Sequence, residues 1–527
     1  MPRFAGRSLR VRRPAGGLAC ALAASLWLLA GCGGARDGHG SVRSLHQRGT
    51  ARAAAAPPSG SVHVTAATED WPEFGAGPQH TGVGRSTLIT AANAGALRMR
   101  TVTLDGIADS SAIALHAVRV RGRIRDVVVV TTSYGSTIAI DPRTGARLWE
   151  YRAPGVNRTP GNPQVTTASP AADPDRRAVY AAVPSGVIVK LALAGGRVLW
   201  TRRILLDPAH EKIASALTVS GRYVVAVTGG YFGDAPPYDG HVVTLDRTTG
   251  RIAHVWNSEC SNRHRLIRAS SCPVTNTRGD DAIWGRAGAV IEPGSGRILV
   301  ATGNGPFNGR TSWGDSVLQL APDASRLLHN WTPANEAQLS ASDTDLGSAS
   351  PAILPPFHGR RLVVQGGKDG RLHLLDLARL DGTTGRAGPR LGGELGEVPT
   401  PGGGELLTAP AVWSHGGAPY LFAATDSGTA AYRLIDPAHP RLSRVWSVSS
   451  AGTSPVLAGG LLFVYDELHG ALDVRRSLTG SLIHAYPVPT GHWNSPIVSD
   501  GRVVLPTGSY HSSAARSRLE ILHLPGR

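Results

Sequence analysis

The feature that most constrains this chain is a unit that recurs along it. A glycine starts a short apolar run, a tight turn ends in another glycine, and a tryptophan follows a few residues on. The clearest copy opens at Gly135, turns through Asp141-Pro142-Arg143-Thr144-Gly145 and closes at Trp149. A second runs from Gly186 through Gly196 to Trp200, with Ala192 where the first has Asp141, and a third from Gly240 through Asp246 and Gly250 to Trp256. Weaker copies end at Trp331, Trp446 and Tyr486, and a copy over 370–376 has lost its aromatic. Between the copies lie β-rich runs, among them 127–131, 224–228, 298–302, 362–365, 461–465 and 503–507, and long helical periodicity is absent. A repeat of about 50 residues with four strand-like runs reads as a propeller blade. One blade cannot bury both of its faces. A ring of blades can, with the repeated aromatic packed between neighbours. The pattern predicts an all-β propeller of seven to eight blades over residues 69–527, with eight expected.

Composition supports that reading. The chain has 527 residues, 41% of them hydrophobic, enough for a large core. Its 65 glycines and 37 prolines fall at short intervals, as many short strands with tight turns require. The formal charge is +16, almost all of the positive charge being arginine, since the lysines are Lys190, Lys212 and Lys368. The arginines are scattered, with no basic helix and no RNA-type aromatic motif, so the charge reads as a solvated surface that favours anionic envelope surfaces and excludes a nucleic-acid partner.

The N-terminal region reads as an export signal. Arg3, Arg7, Arg10, Arg12 and Arg13 precede an apolar run over 18–30. That run is shorter than the roughly 20 residues of a membrane span and has the length of a signal-peptide core. It ends in Leu29-Ala30-Gly31-Cys32, which resembles the bacterial lipobox and implies a lipid on Cys32. The expected organisation is a lipoprotein signal peptide over 1–31, a flexible tether over 32–68 and the propeller beyond. The expected location is the cell envelope, held by lipid in the periplasm or at the cell surface. With Cys20 in the signal and Cys32 lipidated, Cys260 and Cys272 remain, twelve residues apart. In an oxidising compartment they read as a disulfide. A zinc site with nearby His264 is the weaker alternative, because two cysteines and a histidine fall short of a ligand set.

The Asp-x-x-Thr-Gly-x-x-x-Trp unit at 141–149 resembles the blade motif of quinoproteins, the pyrroloquinoline quinone (PQQ) dehydrogenases. The opening stretch Trp71-Pro72-Glu73-Phe74-Gly75 resembles that family's first strand, and the likeness covers most of 70–510. Within 281–382 the resemblance implies a cofactor site. Trp284 would be the floor under the flat quinone, Asn304 a calcium ligand and Lys368 the partner of a quinone carbonyl. Asp343 or Asp345 would supply calcium coordination and the catalytic base. Such chemistry calls for these residue types: oxygen ligands for a hard cation, a carboxylate to take an alcohol proton, an aromatic face to fix a ring plane. The family's glutamate ligand has no counterpart in 229–240, where Asp234 or Asp239 would have to replace it. The family's vicinal disulfide and a Cys-x-x-Cys-His haem segment are missing from the sequence. Two functions therefore stand. One is a PQQ- and calcium-dependent dehydrogenase relative acting on an alcohol or sugar. The other is a noncatalytic envelope scaffold that offers its propeller face to protein partners.

Overall fold

The computed structural model describes residues 69–231, 236–272, 281–380, 391–512 and 514–526. All of these fall in one unit, His63–Arg527; the other, Met1–Val62, lies outside the described residues, as do Cys32 and Asp234.

Among the described residues, eight four-stranded antiparallel sheets form the eight blades of a propeller. Blade 1 runs through Ile113–Val120, Arg123–Thr131, Ser136–Ile140 and Arg147–Arg152. Blades 2 to 7 follow in chain order, and their first strands are Ala171–Ala172, Thr218–Ser220, Val290–Ile291, Ala352–Ile353, Ala411–His415 and Val456–Ala458. Blade 8 is composite. Its strands Ile497–Ser499, Arg502–Thr507 and Arg516–His523 are completed by Arg98–Asp105, which arrives from the other end of the chain and sets Arg98 opposite His523 and Asp105 opposite Arg516. This closure ties the two ends of the propeller together within one blade.

The geometry explains the repeat. The tryptophan of one blade lies flat on the turn glycine of the next: Trp149 on Gly196, Trp200 on Gly250 and Trp446 on Gly480. Each of these glycines has a positive φ, near +70°, and a Cβ there would overlap the indole, so both conformation and space require glycine. The indole N–H then donates into the same neighbouring turn, Trp149 to the carbonyl of Leu193 at 2.7 Å and Trp446 to that of Ser477 at 2.8 Å. Tyr486 closes the series by donating to the Ala94 carbonyl at 2.6 Å, just before the strand that completes blade 8.

Residues 69–84 form a belt across one end of the central channel, touching the first strands of successive blades. Trp71 exchanges backbone hydrogen bonds with Ala114 of blade 1. The carbonyls of Pro72, Pro78, Thr81 and Gly82 accept from Ala172, Ile291, Val412 and Leu457 of blades 2, 4, 6 and 7. Glu69 Oε2 accepts from the Asp500 amide of blade 8 and Glu73 Oε2 from the Val219 amide of blade 3, at 2.9 and 2.8 Å. On this belt Phe74 packs against Ala216, Ala287 and Ala409 from three blades, small side chains that let one ring fill the axis. Burial pushes the Glu73 carboxyl up to about 8, against the opposing effect of the Val219 bond.

Candidate functional site in the central funnel

In each blade the chain passes the far end of the channel before it reaches the belt. Thr167 precedes Ala172, Ala214 precedes Val219, Arg286 precedes Ile291 and Leu407 precedes Val412. The first-named residues line a cavity of about 360 Å³, a size typical of small-molecule sites. The channel is therefore a funnel with a belted floor.

One wall comes from blades 4 and 5. Trp284 lies on the segment leading into blade 4. Asn304 follows the strand Ile298–Ala301. Asp343 and Asp345 follow the short helix Glu336–Ala341, and Lys368 sits in the turn between Leu362–Gly366 and Arg371–Asp376. All five line the cavity. The Asn304 amide donates to Asp345 Oδ1 at 2.9 Å, and its side-chain Nδ2 donates to Asp343 Oδ1 at 2.7 Å. Lys368 pairs with Asp345 Oδ2, stands 3.4 Å from Asp343 Oδ1, and holds its ammonium 5.7 Å from the Trp284 ring centroid. Burial works against the charge on Lys368, but Asp345 and Asp343 outweigh it and hold the ammonium above the usual lysine range. Gly303 makes the cluster possible, since a Cβ there would overlap Asp345 Oδ1 and crowd the Trp284 indole nitrogen. Behind the cluster, Asp315 anchors the loop by accepting from the Leu346 amide at 2.9 Å, and burial pushes its carboxyl well above the usual range.

These groups suit a hard cation beside a flat anionic ring. Asn304 Oδ1 is buried and has no hydrogen-bond partner, which leaves an oxygen ligand uncommitted beside two carboxylates. Asp239 belongs elsewhere. It is wholly buried away from the cavity lining, where its Oδ1 accepts from Ser258 Oγ at 2.7 Å and from the Glu259 amide at 3.1 Å. Its Oδ2 is buried without a hydrogen-bond partner, 4.0 Å from His241 Nδ1, and the residue does not line the cavity that holds Asn304, Asp343 and Asp345. Cys260 and Cys272 are joined by a disulfide with Cα atoms 6.0 Å apart.

The opposite wall was not foreseen from the sequence. Asp109, from the segment entering blade 1, is wholly buried and binds Arg286 Nη2 at 2.7 Å, His492 Nδ1 at 2.9 Å and the Tyr510 amide at 3.0 Å. Burial opposes its charge, but His492 and Arg286 prevail and hold the carboxyl well below the usual range. His492 stacks on Trp493 with centroids 4.3 Å apart, and Trp493 in turn stacks on Trp284 at 5.9 Å, so the two walls meet. No local signal marks this wall. Asp109 lies 177 residues from Arg286 and 383 from His492, and the ring fold brings them together.

An all-β ring of eight blades whose funnel gathers a tryptophan, an asparagine, two aspartates and a lysine defines a quinoprotein-like propeller. Comparison with known proteins agrees. The family model described as outer membrane protein assembly factor BamB matches residues 109–261 and 166–328. Quinohemoprotein alcohol dehydrogenase of Comamonas testosteroni is 24% identical over 388 residues, 67% of this chain and 51% of that protein. A polyvinylalcohol dehydrogenase of Pseudomonas sp is 22% identical over 279 residues, 48% of this chain and 42% of that one. The chain thus matches about half, or less, of the length of these curated relatives. The crystal structure of the Comamonas enzyme superposes with a TM-score of 0.63 at 17% identity, covering 87% of this chain and 81% of that one. The chain is thus similar to quinoprotein alcohol dehydrogenases and to the BamB-type family model, likenesses that support a PQQ-dependent dehydrogenase-like β-propeller superfamily.

Proposed function

We propose that this chain is an envelope propeller that binds PQQ and calcium in its funnel and oxidises an alcohol or sugar there. The observation that carries the reading is the convergence of Asn304, Asp343, Asp345 and Lys368 beside the Trp284 ring, with the Asn304 oxygen left unpartnered. Asn304 Oδ1 and the two carboxylates would hold the cation, Trp284 would set the plane of the quinone, and Lys368 would meet one of its carbonyls. PQQ, when bound, supplies the acceptor for a hydride. The chain's own part is to orient the substrate hydroxyl, to exclude water with Trp284 and Trp493, and to take the hydroxyl proton at a carboxylate, Asp345 or Asp343. The names of the relatives, a quinohemoprotein alcohol dehydrogenase and a polyvinylalcohol dehydrogenase, support the substrate class. The same proposal includes export and anchoring through a lipid on Cys32. Cys32→Ser should then release the protein from the membrane fraction, and wild-type protein without lipid by mass spectrometry would refute that part.

A second reading, a noncatalytic scaffold, is favoured by the absence of glutamate from 229–240 and by the description of the matching family model. An absorbance titration with PQQ, with and without calcium, followed by dye-coupled assays on ethanol and polyvinyl alcohol, separates the two. Calcium-dependent quinone binding with dye reduction supports the dehydrogenase. No quinone binding under either condition leaves the scaffold.

A further inference from the structure

The wall facing Lys368 carries a second acid–base group. His492 lines the cavity, and its Nδ1 lies 2.9 Å from Asp109 Oδ2 and 3.1 Å from Oδ1. A buried carboxylate offers only lone pairs, so an unprotonated Nδ1 would set lone pair against lone pair. Arg286 Nη2 also lies 3.1 Å from Nδ1, but it donates to Asp109 Oδ1 at the shorter distance of 2.7 Å. The nearer carboxylate oxygen at 2.9 Å therefore assigns the proton to Nδ1, and the neutral ring keeps its free lone pair on Nε2, on the opposite side of the ring from Asp109. The ring cannot swing away. Trp493 stacks on one face, and Tyr510 and His511 pack edge-on with centroids 5.7 and 5.0 Å away. Asp109 is itself fixed by Arg286, whose Nη1 also donates to the Asp109 and Thr167 carbonyls at 3.0 and 3.2 Å. On the other wall both oxygens of Asp345 are already engaged, by the Asn304 amide and by Lys368.

We infer that His492, oriented by Asp109, is a proton acceptor for the hydroxyl of a ligand in the funnel. Resting on the alcohol-oxidising reading above, this gives that reaction a second base. The O–H bond breaks, the proton moves to His492 Nε2, and the electron pair stays on the oxygen as the proposed oxidation draws on it. The resulting imidazolium is stabilised by the Asp109 carboxylate, the arrangement that makes an aspartate–histidine pair an effective base. Asp109 is the positioning residue. The other charged and titratable groups around the ring are Arg286, whose Nη2 lies 3.1 Å from His492 Nδ1, together with Tyr510, His511 and, beyond them, Lys212, which sits against the Tyr510 ring. Burial above all holds the His511 imidazole below the usual range.

Two measurements test the inference. The first needs no cofactor: ¹⁵N spectra of full-length protein labelled at histidine, at alkaline pH, with the His492 signals assigned by their loss in His492→Gln. The expected result is a protonated Nδ1 and a bare Nε2, with Asp109→Asn weakening that preference. A proton on Nε2 in the wild type overturns the inference whether or not PQQ binds. The second uses protein loaded with PQQ and calcium and oxidising ethanol. His492→Gln should lower kcat by about 10²–10⁴-fold and remove an acid limb from the pH profile, while PQQ affinity changes less than about threefold. Asp109→Asn should change the profile in the same sense with a smaller loss. Full kcat in His492→Gln sinks the inference and leaves the proposed function standing. Failure of the wild type to bind PQQ sinks the proposed function, and the tautomer then decides the inference alone.

Discussion

The two ends of the channel are made by the same short first strands, yet they are chemically unlike. At the belted end the groups in contact are Phe74, small alanines and backbone amides paired with carbonyls. At the funnel end stand Arg286, Asp345 and His492, from the segments entering blades 4, 5 and 8, with Asn304 and Lys368 from the turns after the second strands of blades 4 and 5. The first arrangement is what stability asks for, buried apolar area and satisfied backbone, with the buried Glu73 carboxyl as its exception. The second gathers charged groups and the buried, unpartnered Asn304 oxygen around an open cavity, which stability does not ask for and chemistry does. The difference teaches that the ring separates holding together from acting along the axis of each blade, so a change at either end should be felt in one measurement and not in the other.

The comparison breaks if Phe74→Ala disturbs ligand binding. The account expects this variant to lose about 3–5 kcal/mol in denaturant unfolding, the usual range for removing a buried aromatic ring, with PQQ affinity within about threefold of wild type. It sharpens if Asp345→Asn does the reverse and abolishes calcium-dependent PQQ binding, with Lys368→Ala weakening it, as read from the quinone spectrum.

A third test uses pH at the belted end. Glu73 is held at about 8 when folded against 4.5 otherwise, so the folded state binds the proton more tightly. Stability from this group is full below about pH 4.5 and is lost as pH rises through 8. Glu73→Gln keeps an acceptor for the Val219 amide and removes that loss. It should match wild type near pH 4 and exceed it at pH 9 by on the order of 3 kcal/mol in chemical denaturation, with no change in PQQ binding. The smallest effect is expected from Cys260→Ser with Cys272→Ser, which opens a loop of twelve residues and should cost about 2–3 kcal/mol. Free thiols at both positions in protein purified without reductant would contradict the pairing.

The blades were legible because their signal is local. The turn glycine and the tryptophan of each copy lie a few residues apart, and a propeller repeats the demand, so 135–149, 186–200 and 240–256 each announce a blade. The wall of Trp284, Asn304, Asp343, Asp345 and Lys368 was legible by a different route, through resemblance of short motifs in their order along the chain. Geometry adds what the motifs do not carry, that Gly303 admits the Asp345 carboxylate and that Asn304 touches both aspartates. The wall of Asp109, Arg286 and His492 left no trace in the sequence. Each is an ordinary residue locally, and only closure of blade 8 against blade 1 sets His492 beside Asp109. The belt was half legible: its Trp-Pro-Glu-Phe-Gly opening resembled a first strand, but its backbone is spent on seven blades rather than on one ladder. The place of Asp239 was not legible because position within a loop says nothing about which way a carboxylate turns, and this one turns its Oδ1 to Ser258, outside the cavity lining.

The central claim, that the funnel end is a cofactor site mechanically independent of the belt, is tested most directly by isothermal titration calorimetry of PQQ into wild type, Asp345→Asn and Phe74→Ala, each with and without calcium. The account predicts one quinone bound per wild-type chain only when calcium is present, none in Asp345→Asn, and wild-type affinity in the less stable Phe74→Ala. Binding that survives Asp345→Asn unchanged, or that is absent from wild type with calcium, would contradict it.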